Sequence, residues 1–315
     1  MTGDLQAGVA ELPDELPVPG GGRTTARFTA LWDVASSDPS LGRLAEAHYD
    51  GAAILREAGH RPAPGARFGV WAAAGPDPAT LTRDGHRFRL RGAKHWCSGA
   101  SIVSPALLTA RFEGSNALVL VDMRQGGVRL CEPTWSSPAF AAVDTRTVAF
   151  DDVPIENDAV VGTNDWYLHR PGFWHGAVGV AACWAGSAQG LVVRLRPAWP
   201  SDAHAIAHLG AIDAALWAMR AAITTAAAEI DTVADESADD RRRRALRVRH
   251  VVDTLVADVT TRAVRAVGPA PLAYRPDLHR VLAETDLYRR QCHAERDLAE
   301  LGHLTDHHDP PDTLE

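Results

Sequence analysis

Apolar positions change period along the chain, and the changes divide it into segments. Between residues 26 and 59 they recur at spacings of three and four, with Leu41, Leu44, Ala45, Tyr49 and Ala52 in one stripe. That spacing predicts amphipathic helices over 26–36 and 41–58, the second with Ser40 as its N-cap. From 66 to 163 the period shortens. Residues 68–72 are apolar, and Arg87, Phe88, Arg89, Leu90 and Arg91 alternate as a half-buried strand does. Asp84-Gly85 supplies a hairpin turn between them, since Gly accepts positive φ. Gly92 opens the next predicted strand, through Trp96. Further strands are expected over 105–112, 117–123, 128–131 and 146–150, separated by Gly114-Ser115 and Gly126-Gly127. This is the turn spacing of a small barrel or sandwich.

From 165 to 304 the helical period returns in four long segments, 172–195, 202–230, 239–267 and 277–303. Leu209, Ile212, Leu216, Met219 and Ile223 make a stripe in the second, and Val248, Val251, Val252, Leu255, Val256 and Val259 in the third. Gly268-Pro269 is a helix stop. Four helices with short connections predict an antiparallel four-helix bundle. The expected class is therefore α+β. A flexible arm (1–24) and a short helical region (25–65) precede a middle β-barrel or sandwich domain (66–163), the bundle (164–304) and a loose tail (305–315).

Composition adds constraints. A chain of 315 residues exceeds one ordinary core, so two packed units are expected. A net charge of −8 argues against nucleic acid as a partner. The four cysteines, at 97, 131, 183 and 292, form no CxxC pair, which suggests neither a disulfide framework nor a zinc cluster. Residues 176–193 carry no charge, but they are mostly Gly and Ala and suit a buried helix better than lipid. Without a signal pattern at the N-terminus, the expectation is a soluble cytoplasmic protein with no membrane partner.

Lys94 is the single lysine among 32 basic residues, so something more specific than positive charge holds it there. His204 and His208 have the i, i+4 spacing of metal ligands but lack a third ligand, so a solvated helix face is the expectation. The Asp306-His307-His308 tail is a weaker metal candidate still. The four arginines 241–244, following Asp235, Glu236, Asp239 and Asp240, are read as a helix start with local acid–base pairing.

Two blocks carry a family resemblance. Asp84-Gly85, Phe88, Leu90, Gly92, Lys94 and Trp96-Cys97-Ser98 form the first. Thr145-Arg146-Thr147-Val148-Ala149-Phe150-Asp151-Asp152-Val153-Pro154, followed by Val161-Gly162, form the second. Together they resemble the middle domain of the acyl-CoA dehydrogenase family, and the helical regions on either side are in that family's order. The resemblance implies FAD as cofactor, with Trp96 along the flavin ring, Ser98 near its N5, Trp71 on the first flavin-binding strand and Arg196 toward a phosphate. It implies an acyl-CoA or related small-molecule substrate, and packing as a homo-oligomer or with a related chain. The N-terminal helical region is about half the family's usual length.

The chain also departs from that pattern. The family's catalytic glutamate positions fall on Cys292, beside His293, and on Gly176, beside His175. Neither is a carboxylate. Glu295, placed on the same predicted helix as Cys292, is the remaining acidic candidate, and His175, Cys292, His293 and Glu295 are the candidate catalytic residues. No GxGxxG or GxxxxGK[ST] loop occurs. Three readings follow: an acyl-CoA dehydrogenase-like oxidoreductase, a flavin-dependent monooxygenase on the same fold, and a non-catalytic subunit of a hetero-oligomer. The segment His293-Ala294-Glu295-Arg296-Asp297 resembles the monooxygenase branch.

Overall fold

The longest strand of the protein shows how its β region is built. In the computed structural model, which describes residues 2–232 and 236–306, this strand runs unbroken through Gly92, where two strands were expected. Gly92 takes φ +100, and a side chain there would press on the Pro78 carbonyl. The pairing register shifts at this glycine, so the strand bends without ending.

The chain begins with α1 (Thr2–Glu11), α2 (Thr24–Ser37) and α3 (Pro39–Glu57). There follow β1 (Gly69–Trp71), β2 (Thr80–Asp84), the long β3 (Arg87–Cys97), β4 (Ala106–Phe112), β5 (Ser115–Val121), β6 (Val128–Leu130), β7 (Arg146–Ile155) and β8 (Val160–Gly162). The eight strands make one sheet in the order β6-β7-β3-β2-β4-β5-β8, with β1 paired in parallel to β4. The second expected block is thus longer than its apolar residues indicate: β7 continues through Asp151-Asp152 to Ile155 and pairs with β3.

Helices follow: α4 (Trp166–His169), α5 (Pro171–Leu195), α6 (Ala203–Thr232), α7 (Ala238–Val267), α8 (Ala270–Tyr274), α9 (Pro276–Arg289) and α10 (Glu295–Asp306). The architecture is α+β with a C-terminal helical region. The fourth helix expected over 277–303 is instead two, α9 and α10, separated at 290–294, where Ala294 sits at φ +48. The chain divides into two compact units, one made of residues to Leu16 with Arg43–Phe173, the other of Pro17–Gly42 with Trp174 onward.

In the first unit, β4 separates two apolar layers. Leu108, Ala110 and Phe112 join Trp71, Leu90, Cys97 and Val119 in the main core. Leu107 points to the other layer, where it meets Ile54, Leu55 and Phe68 under α3. The segment expected to be a loose arm contains α1, and Leu5, Val9 and, just past the helix, Leu12 are buried. Arg67 donates to the carbonyls of Val9, Ala10 and Leu12 and pairs with Asp14. It supplies the donors that the end of a helix lacks. No local pattern announces this, because the partner is more than fifty residues away.

In the second unit, the Gly-rich stretch that follows is pinned by one carboxylate. Asp231 accepts from the backbone of Gly22 (3.0 Å) and Thr24 (2.9 Å) and from the Thr24 hydroxyl (2.6 Å). The uncharged run 176–193 lies in α5, and its glycines let α2 approach closely. A Cβ at Gly186 would come 2.1 Å from the Trp32 carbonyl oxygen. The N-cap of α3 is Asp38 and not Ser40: Asp38 Oδ1 accepts from the backbone of Ser40 (2.8 Å) and Leu41 (3.2 Å), and Pro39 fits the first helical position. Ser40 instead donates to the buried Glu284, which Arg280 also pairs. Local pairing of the arginine run holds for Arg243 with Asp240 and Arg244 with Glu236, while Arg244 also reaches Glu229 and Arg242 pairs with the distant Glu300. Residues 307 and 308, and Asp235, lie outside the described residues. Two segments, Pro171–Ala198 and Ala203–Thr232, are long and apolar enough to cross a membrane; the first is largely buried within the protein and the second is not.

Candidate active site

Regular pairing of β3 with β7 lapses between Lys94 and Cys97, and the candidate chemistry of the first unit gathers there. Trp96 takes φ +60, a conformation that costs a bulky residue about 1–3 kcal/mol. The turn leaves its indole 62% exposed, against an edge-on contact with Trp135 at 6.1 Å. Trp96 therefore lies outside the apolar core, unlike most large aromatic residues of a β region.

Two residues on, the Ser98 hydroxyl receives the Thr145 hydroxyl at 3.3 Å, and the Ser98 carbonyl accepts from Trp71 Nε1 at 3.1 Å. Trp71 itself is 2% exposed and packs in the main core. It therefore presents no ring face to a ligand; what it touches is the backbone that carries Ser98. Cys97, between Trp96 and Ser98, is fully buried, and burial pushes its thiol up to about 12.

On the same unit, Lys94 and His95 line a pocket of about 230 Å³ with Thr109, Arg111, Asn116, Asp165, Tyr167 and several small apolar residues. Lys94 is 6% exposed and donates to the Thr109 carbonyl (3.0 Å) and hydroxyl (2.7 Å). Burial pulls its pKa down to about 8. His95 Nδ1 meets the Thr147 hydroxyl at 3.1 Å, and its Nε2 is buried without a hydrogen-bond partner. Desolvation raises the Tyr167 phenol above its ordinary value.

In the second unit, Cys292 and His293 fall in the break between α9 and α10. Glu295 opens α10 and is exposed, so it does not share a helix with Cys292 as expected. The group that does meet both is Asp297. Its carboxylate accepts from the His293 backbone (3.1 Å), lies 3.1 Å from His293 Nδ1 and 3.9 Å from Cys292 Sγ. Asp297 is buried at the third position of α10, where a carboxylate reaching back to a free backbone donor stabilises the helix start. A carboxylate can only accept, so when Asp297 is ionised this contact calls for a proton on His293 Nδ1; the histidine side chain is 60% exposed. Burial raises the Cys292 thiol, which keeps it protonated.

His175 is half-buried on the first turns of α5, with its Cε1 near Gly20. Arg196 is exposed in a short 3-10 turn after α5, while its neighbour Arg194 is committed to the carbonyls of Ser36, Ser37 and Gly190. No metal-binding cluster occurs among the described residues. Thr145 and Asp297 take roles that the sequence pattern does not assign; for Asp297 the signal in the sequence is its i, i+4 spacing from His293. Arg111, Asn116 and Asp165 had none, since they come from three separate segments.

No family model and no curated protein sequence matches the chain. Solved structures do resemble it. TdsC from Paenibacillus sp. A11-2, in complex with FMN and indole, superposes with a TM-score of 0.81 at 19% identity, covering 92% of this chain and 85% of its own. KijD3, with FMN and a dTDP-linked amino-keto sugar, gives 0.77 at 22% identity over 89% and 78%. The methanesulfinate monooxygenase MsuC from Pseudomonas fluorescens gives 0.74 at 17% identity over 98% and 90%. The chain shares their fold. TdsC and KijD3 hold FMN, where the resemblance to the dehydrogenases implied FAD.

Proposed function

We propose that this chain is a flavin-dependent monooxygenase acting on a small molecule, with FMN as its flavin. The observation that carries the reading is the His293–Asp297 pair, which stands beside Cys292, the position where the dehydrogenase resemblance puts its carboxylate base. Gly176 occupies the alternative base position, and Glu295 is exposed on a different helix from Cys292. Oxygen transfer does not require removal of a substrate α-proton, so these positions are free of that demand. TdsC and KijD3, which hold FMN, and MsuC, a monooxygenase by name, support the reading by their shared fold.

The residues of the β region fit a flavin. Trp96 offers an exposed indole face for the ring system, and Ser98, oriented by Thr145 and held from behind by Trp71, offers a hydroxyl. A bound flavin, reduced by an external donor, supplies the oxygen-activating chemistry. The chain supplies orientation and protons. His293, held in one tautomer by Asp297, is assigned as the proton donor through Nε2. Asp297 is a positioning residue. Cys292 is assigned packing, and His175 and Arg196 are assigned substrate and phosphate contacts. The domain boundaries at 66–163 and 164–304 belong to the same proposal, with α5, α6, α7 and the broken pair α9–α10 as the four members of a bundle. Exposed Ile206 and Trp217 on α6 favour self-association of that region.

The test is the visible spectrum of purified protein after incubation with FMN or FAD and removal of the free fraction. Oxygen uptake with reduced FMN, compared with bleaching by a panel of acyl-CoA thioesters, separates monooxygenase from dehydrogenase. Retention of FMN with oxygen uptake is expected. A protein that holds neither flavin overturns the reading and leaves the non-catalytic subunit.

A further inference from the structure

The pocket beside β3 holds more positive charge than its acids answer. Lys94 makes no ion pair with any described residue, and its two partners on Thr109 are uncharged. An ammonium carries three donors, so one remains. Arg111 reaches the same pocket from β4, exposed, with no side-chain hydrogen bond or ion pair to a described residue. Most other arginines of this chain are paired. The imidazole of His95 adds a buried Nε2 without a partner. Gly75 lies against that ring, and a Cβ there would come 2.3 Å from its Cδ2, so the glycine makes room for the histidine. The one acid in the lining, Asp165, is occupied by the backbone and side-chain nitrogens of Asn116, at 3.2 and 2.6 Å.

A buried polar or charged group without a partner is costly, and three basic groups converging on one cavity are answered best by an anion from outside the chain. We infer that this pocket binds the carboxylate or phosphate group of a small organic anion, with Lys94, Arg111 and His95 Nε2 as its donors. At about 230 Å³ the pocket is smaller than a typical drug-sized site, so the ligand is a compact molecule. Its apolar part lies along the small apolar walls, such as Ala72 and Leu168. Lys94, titrating near 8, stays mostly charged at neutral pH, and a bound anion favours that form. The inference does not depend on the flavin reading.

Isothermal titration of the full chain in phosphate- and carboxylate-free buffer tests it. The probes are benzoate, phenyl phosphate and uncharged benzyl alcohol. One of the two anions is expected to bind, and the preference identifies the chemical source; benzyl alcohol is expected not to bind. Arg111→Met changes an exposed side chain and should fold, and Lys94→Met removes the buried cation. Each is expected to weaken the anion by about tenfold or more, the scale of one charge-assisted hydrogen bond. Absence of binding by either anion overturns the inference, as does binding unchanged in both variants. Competitive displacement of the probe by FMN also overturns it, because the pocket would then be part of the flavin site.

Discussion

Lys94→Met isolates the energetic consequence of burying the chain's single lysine. An ordinary lysine titrates at 10.5 and this one at about 8, with burial as the leading cause. At about 1.4 kcal/mol per pH unit, the gap makes the buried charge cost about 3 kcal/mol of stability at pH 7. The sign follows from proton binding. The folded chain holds this proton less tightly than the unfolded chain, so the cost is full below about pH 8, fades as pH rises from there toward 10.5, and then disappears. Methionine keeps the length of the side chain and removes the charge, but it also forfeits the two bonds to Thr109, worth about 1 kcal/mol each. The variant should therefore be more stable than the parent by about 1 kcal/mol at pH 7, and its advantage should fall by about 2 kcal/mol by pH 10. Guanidinium unfolding of both proteins at pH 7 and pH 10, in buffer free of phosphate and carboxylate, measures the difference. The other titratable groups near Lys94 (Cys97, His95, Asp165, Tyr167) are common to both chains. A stability difference that is flat with pH would mean that Lys94 titrates as an ordinary lysine, and one that grows with pH would mean that folding raises its pKa; either refutes the argument.

Trp96→Ala should lower FMN retention with little loss of stability, because the indole is exposed, whereas Trp71→Ala should cost about 3–5 kcal/mol by chemical denaturation. Equal effects of the two on folding would sink the distinction. Asp297→Asn removes the charge that fixes the His293 tautomer and should lower oxygen-transfer turnover and shift its pH profile while flavin binding is kept; an unchanged profile would leave Asp297 only a structural role. Gly186→Ala should destabilise the protein by about 1–3 kcal/mol or more through collision with the Trp32 carbonyl. Gly210→Ala, on the exposed side of α6 with no atom within 4 Å of the new Cβ, should instead stabilise it by about 0.5–1 kcal/mol. Thermal unfolding reads both, and a stabilised Gly186→Ala would contradict the close approach of α2.

Much of the fold was legible because its signals are local. The period of apolar residues depends only on whether neighbouring side chains turn by a helix or alternate along a strand. α5, α6 and α7 accordingly begin and end within a residue or two of the predicted segments. The Trp96–Ser98 block was likewise readable, since its pattern is continuous in the chain. Sequence alone thus determined the order of helices and strands, and Lys94 and His293 as residues to watch.

Tertiary structure decided which of these residues faces what. Trp71 in β1 and Trp96 in β3 are the same residue type, yet one is core and the other exposed, because β3 loses its register after Lys94. Glu295 and Cys292 are three positions apart, yet a helix break separates them and gives Asp297 the contact. Arg67 at the end of α1 and Asp231 at the Gly20–Thr24 turn hold segments whose own composition suggests looseness. The absence of an acid partner for Lys94 among the described residues is also a tertiary fact. It depends on Thr109, Asn116 and Asp165 arriving together from separate segments, with Asn116 already claiming the only carboxylate in the pocket. Local periodicity encodes backbone geometry, while hydrogen-bond partners and free charges depend on strand register and long-range packing, and those exist only once the chain has folded.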